Sequence, residues 1–242
     1  MSVRGEILAT LRPPPGDRHG PLAPMMLALT IVTGVVDAVS YLKLGHVFVA
    51  NMTGNIVFLG FGLAGASGLS IPASLAAVGS FMLGAGLGGL LAARAGAHRG
   101  HLLRMACATQ AALIVLALLV SLAAGVPLHT GARYALIVPL ALAMGVQNAA
   151  AQSLSIPELT TTVLTKTLTG IASEARLFGG RGSQAGRRSL AVAMMLLGAL
   201  AGGLLVLNVS IAAPLVLAGA LVAAVAGAAH VLGRSGAPWT KA

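Results

Sequence analysis

One acid stands inside an apolar run: Asp37, in the stretch Thr30-Ile31-Val32-Thr33-Gly34-Val35-Val36-Asp37. An ionised carboxylate at membrane depth costs at least a few kcal/mol, so an acid in such a run is a functional-site candidate. Thr30, Thr33, Asp37 and Ser40 or Tyr41 follow helical spacing and share one helix face. A polar stripe on an apolar helix faces protein or water, not lipid. Two chemistries fit the acid: a proton- or cation-coupling site, or a structural hydrogen bond to a neighbouring helix or to the backbone of the segment that follows.

That segment holds Asn51, Thr53 and Asn55 around Gly54. Glycine costs roughly 1 kcal/mol in a helix interior and admits conformations that other residues avoid. The pattern predicts a backbone loosened at Gly54, with N–H and C=O groups available to a solute. The alternative is a kinked helix whose amides satisfy the kink. A later threonine run, Thr160 to Thr167, includes Thr165, with Lys166 standing where the first segment has Gly54. Lys166 could hold a solute anion, pair with Glu158 or Glu174, or snorkel to the inner interface, the reading that its chemistry favours. Gly145, Asn148, Gln152 and Ser155 form a second polar stripe, with Asn148 in the place of Asp37. It fits a non-ionisable copy of the site or glue between helices. The candidate substrate or ion path is therefore Asp37, Thr33, Ser40, Asn51, Thr53, Gly54, Asn55, Asn148, Gln152 and Thr165. His98 and His101 have no acid or cysteine beside them, so no metal and no cofactor is expected. No paired carboxylates, ligand set or nucleophile–base arrangement is present, and Glu158 and Glu174 fall at the inner surface. The chain is not expected to be an enzyme.

The elements that must hold these groups follow from composition. Of 242 residues, 57% are hydrophobic and 8% charged. A soluble domain carries about 25% charged residues, so the solvent implied is lipid. Fifteen basic residues face five acidic ones, but they lie in short gaps between apolar runs, as topology determinants do. Nucleic acid is not the expected partner; membrane lipid is. A span needs about 20 apolar residues, and six stretches qualify: 22–43, 71–93, 102–124, 133–154, 188–208 and 211–232. Two stretches, 47–65 and 158–178, are too polar for lipid-facing helices. The fold class is an all-α membrane protein, with six transmembrane helices plus two broken or re-entrant segments. If both segments enter and leave on one side, thirteen Lys and Arg lie inside and only Lys43 and Arg133 outside. If both cross fully, Arg94, Arg99 and Arg104 fall outside. The positive-inside rule favours the first arrangement.

The two odd segments also follow similar neighbours. Residues 33–38 align with 144–149, residues 53–56 with 165–168, and residues 84–89 with 198–203, at offsets of 111, 112 and 114. With three true spans in each half, such repeats would be inverted, a recurring transporter design. The expected organisation is a polar cytoplasmic N-terminal tail at 1–21 and one membrane domain at 22–232, with repeats at about 22–124 and 133–232. A cytoplasmic C-terminal tail follows at 233–242. Gly84, Gly88, Gly198 and Gly202 form small-residue stripes that permit close packing, within the subunit or in a homo-oligomer.

Residues 33–60, from T-G-V-V-D-A through A-N-M-T-G-N-I-V-F-L-G, resemble the YoaK-like family of bacterial multi-span membrane proteins, a domain of unknown function. Ile156-Pro157-Glu158-Leu159-Thr160-Thr161-Thr162 is similar to that family's second signature, and the resemblance extends from about Leu22 to Leu232. Lys166 departs from the apolar residue expected there. The resemblance implies a multi-pass protein of the inner (plasma) membrane, and the charge distribution puts both termini in the cytoplasm. The functional expectation is a small-solute transporter or channel-like protein with a polar path between the repeats, proton- or cation-coupled through Asp37. The alternative is a non-transporting membrane scaffold whose polar residues only fix helix packing.

Overall fold

Runs of Leu, Ala and Val long enough to bury every backbone group in helix make nine α-helices among the described residues of a computed structural model, which are 3–14, 16–125, 127–156, 164–173, 184–233 and 238–241. They are α1 (Val3–Leu11), α2 (Leu22–Lys43), α3 (Met52–Leu63), α4 (Ile71–Ala95), α5 (Arg99–Ala123), α6 (Thr130–Leu154), α7 (Leu164–Ser173), α8 (Ala185–Asn208) and α9 (Ala212–Gly233). The only β pairing among these residues is one bridge between His98 and Lys241. Six helices, α2, α4, α5, α6, α8 and α9, are long and apolar enough to cross a membrane, and they match the six expected spans. Polar side chains fix where three of them start. Ser70 accepts the Ala73 N–H at α4, His98 the His101 N–H at α5, and His129 the Ala132 N–H at α6, each satisfying a donor that the first turn leaves open.

Two helices form the centre. The most apolar stretch of α2 is 78% buried and that of α6 67% buried, against 22–28% for α4, α5, α8 and α9. The outer four carry the exposed Leu, Met and Val that lipid would cover, among them Leu83, Leu119, Leu200 and Val216. Glycine permits the two closest crossings. A Cβ on Gly34 of α2 would stand 2.5 Å from the Met195 carbonyl oxygen and 2.6 Å from the Ala199 nitrogen of α8; one on Gly198 would run into Ile31. On the other pair, a Cβ on Gly145 of α6 would run into the Phe81 carbonyl and the Ala85 nitrogen of α4, and one on Gly84 into Leu142. The two crossings use corresponding positions: 34 and 145, and 31 and 142, differ by 111, while 195 and 81, 199 and 85, and 198 and 84 differ by 114.

The small-residue stripes, expected to pack within the subunit or in a homo-oligomer, are seen in intrasubunit packing. Gly84 and Gly88 are occupied by α6, and Gly198 and Gly202 by α2. These four glycines are therefore used for helix packing inside the subunit.

Contacts also sort the loops into two ends. At one end the Arg99 guanidinium donates to the Arg18 and Leu154 carbonyls and meets the His19 ring. The Trp239 side chain covers Gly20 there. The Gly186 N–H donates to Glu6 at 2.9 Å, which docks α1 against the start of α8, so the polar N-terminal stretch is partly helical. At the other end one cleft is lined by Lys43, His46, Gly68, Ser70 and Arg133. The chain therefore leaves α2, runs through α3 and returns to the end it left. At 12 residues, α3 is about 18 Å long, too short for roughly 30 Å of hydrocarbon. The segment 47–65 therefore starts and finishes at one end of the bundle, as the re-entrant arrangement requires. Residues Leu154 and Gly186, which flank α7, likewise share one end. Because Cys107 is buried, a thiol-specific probe has little background: Ser67→Cys should be modified from the same side as a cysteine at Arg133, and from the side opposite one at Arg12. Modification of Ser67→Cys from the Arg12 side would contradict the re-entrant path.

Candidate functional site

Non-helical backbone within a membrane protein must find partners for its N–H and C=O groups inside the protein. Residues 44–51, between α2 and α3, pose that problem, and two side chains answer it. One Asp37 carboxylate oxygen accepts the Val49 N–H at 3.1 Å and the Ala50 N–H at 2.8 Å. Asn55, one turn into α3, accepts the Phe48 N–H at 2.9 Å and donates to the Phe48 carbonyl at 2.6 Å. Three consecutive residues, 48 to 50, are thus held by an acid from the preceding helix and an amide from the following one. The acid's internal hydrogen bond goes to the backbone of the segment that follows.

Gly54 plays a different part from the one its type suggested. It lies within regular helix, and the unwound stretch precedes it. A Cβ there would stand 2.8 Å from the Phe48 ring, so the missing side chain seats that ring against α3. Phe48 stacks on Tyr41 at 5.0 Å between ring centroids and on Phe58 at 5.8 Å. The turn is locked by aromatic packing on one side and by hydrogen bonds on the other.

Beside the turn is a cavity of about 690 Å³ lined by Thr33 and Asp37 of α2, Ala50 to Gly54, Val57 and Phe58, Phe81 of α4, Thr165 of α7 and Met195 of α8. Its lining also takes in residues paired by the sequence alignment: Thr53 and Thr165 at an offset of 112, and Phe81 and Met195 at an offset of 114. Six expected site residues line it: Thr33, Asp37, Asn51, Thr53, Gly54 and Thr165. The other four do not. Ser40 is buried and donates to the Asp37 carbonyl, and Asn55 holds the turn. Asn148 is half-buried, with its amide donating to Met144 O at 2.8 Å, and Gln152 is exposed. The α6 stripe is rotated from the expected one because Gly145 must face α4, which carries Asn148 and Gln152 away from the cavity. Glu158, Thr160 to Thr162, Glu174 and Arg176 lie outside the described residues.

A buried amide chain was missed. Gln110 of α5 donates to Gln147 of α6 at 2.6 Å, and Gln147 donates to Thr33 at 2.9 Å and to the Leu29 carbonyl at 3.3 Å. The signal was present: Gln110 is the lone amide in an apolar span, and Gln147 adjoins Asn148. Gln147→Leu leaves the Gln110 amide without its acceptor and should cost about 1–2 kcal/mol. Gln110→Leu with Gln147→Leu should cost less than the single change, since removing both partners strands fewer polar groups. Thermal unfolding in detergent reads both; equal or larger loss in the double variant would contradict the chain.

Helices crossing at glycine around a turn held by Asp37 and Asn55 define a polytopic helical membrane protein with a cavity beside that turn. The chain belongs to the family described as "Protein of unknown function (DUF1275)", whose profile matches residues 25–228. It is 35% identical over 162 residues to the UPF0700 transmembrane protein YoaK of Bacillus subtilis (strain 168), covering 64% of this chain and 68% of that protein. No solved structure matches it.

Proposed function

We propose that this protein is a small-solute transporter or channel-like protein of the inner membrane, with both termini cytoplasmic and no enzymatic activity. One observation carries the reading: the cavity is lined by both halves, and the lining includes corresponding pairs, Thr53 with Thr165 and Phe81 with Met195. Two inverted repeats sharing one central cavity can rock about it and expose it to either side in turn. Asp37 is the coupling acid, because one of its oxygens anchors the turn while the residue also lines the cavity.

The competing reading is a non-transporting scaffold, and the Asp37 and Asn55 hydrogen bonds favour it, since they account for both residues by structure alone. Flux in proteoliposomes, across a panel of solutes and ions and with an imposed pH gradient, separates the two. Wild type should carry at least one solute, and Asp37→Asn should lose the dependence on the gradient. A folded wild type that moves nothing in the panel would leave the scaffold.

A further inference from the structure

A second cavity, of about 260 Å³, lies between α5 and α9 at the end that carries both termini. It is lined by His98, Gly100, His101, Arg104, His230 and Gly233. Its charged and titratable groups are cationic or basic. The chain's five acids are Glu6, Asp17, Asp37, Glu158 and Glu174. Of the described ones, Glu6 bonds Gly186, Asp17 bonds the N–H groups of His19 and Gly20, and Asp37 is engaged at the turn. Arg104 thus has no carboxylate partner among them. Its Nη1 meets the His230 Nδ1 at 3.1 Å, and because a guanidinium only donates, the imidazole accepts. The His98 Nδ1 accepts the His101 N–H at 3.0 Å, so in the neutral ring the proton is on Nε2, a donor. Among the described residues no three His, Cys, Asp or Glu gather as a metal ligand set. The donors instead suit an anion.

Position narrows the anion. Arg104 lies five residues into α5 and His230 three residues from the end of α9, about 5–8 Å inside the helix ends. That is head-group level if those ends lie at the interface. All four charged or titratable side chains are exposed, and Val231 beside them is 67% exposed, so the cavity opens on the surface that lipid covers. A guanidinium fork with imidazole donors matches phosphate oxygens, and basic pockets between helices are a known form of lipid head-group site.

We infer that the α5–α9 cavity binds a phosphate group, through Arg104, His98, His101 and His230. Two sources share that chemistry, the head group of an anionic phospholipid and free phosphate, and the test separates them. The purified full-length chain would be titrated with phosphatidylglycerol in phosphatidylcholine nanodiscs, and separately with inorganic phosphate in pure phosphatidylcholine nanodiscs. Binding would be followed by thermal stability and by bound lipid in native mass spectrometry. The variants are Arg104→Gln with His230→Gln, and Arg94→Gln as a control that removes one charge at the same end outside the cavity. Phosphatidylglycerol should stabilise wild type and Arg94→Gln, and the double variant should bind it about tenfold more weakly, the scale of one lost charge-assisted pair. If inorganic phosphate alone protects wild type and not the double variant, the site stands and its ligand is soluble phosphate. If neither phosphate source binds, or the double variant binds both as Arg94→Gln does, the inference is overturned.

Discussion

Asp37→Ala is expected to destabilise the protein by about 2–4 kcal/mol, whereas Asp37→Asn should stay within about 1 kcal/mol of wild type. The acid is the acceptor for the Val49 and Ala50 N–H groups, and each buried donor left without an acceptor costs about 1–3 kcal/mol. Removing a desolvated carboxylate returns part of that cost, which sets the net figure below the simple sum. Asparagine keeps one carbonyl oxygen where the carboxylate oxygen was, so both hydrogen bonds survive while the ionisable group is lost. The pair therefore separates anchoring from coupling. Unfolding in detergent measures stability, and modification of Ser67→Cys in each background reports whether the re-entrant path persists. Equal losses for alanine and asparagine would show that charge, and not acceptor geometry, holds the turn.

The second large effect lies at the glycine crossings. Gly145→Val and Gly34→Val should each cost at least the upper end of about 1–3 kcal/mol seen for overpacking. The atoms in the way are backbone: the Phe81 carbonyl and the Ala85 nitrogen for Gly145, and the Met195 carbonyl and the Ala199 nitrogen for Gly34. Backbone cannot rotate aside, so the helices must separate, and in lipid no hydrophobic force drives them back together. Gly86→Ala is the counter-case. A Cβ there meets nothing within 4 Å, so alanine should stabilise by about 0.5–1 kcal/mol through helix propensity. Opposite signs at Gly145 and Gly86, which both lie in helix, would separate packing from propensity. Matching signs would mean that the crossings are looser than described.

Position explains what was legible. The six spans could be read because hydrocarbon thickness imposes length and apolarity on every crossing helix, whatever its partners. The buried stripe Thr30, Thr33, Asp37 and Ser40 could be read because a single acid on an apolar helix must face protein. The return of 47–65 to the end it left was legible through charge, since that path places Lys43 and Arg133 together at one end. Gly54 misled because a glycine does not say whether it loosens its own backbone or makes room for another group, here the Phe48 ring. The α6 stripe misled because a helix face is defined only when its neighbour is known. Gly145 turned to α4, which put Gln147 on the interior and Asn148 and Gln152 off the cavity.

By itself the sequence determined the solvent, the number of crossings and which segments could not be simple spans, since these follow from hydrophobicity, helix rise and charge, which are additive along a chain. Tertiary structure alone decided which helices pair, where the stripes of small residues are used, and which polar groups share the cavity. Those outcomes depend on the rotation of one helix against another, and a change of one residue in register turns a face by about 100°, an angle that composition and spacing do not contain.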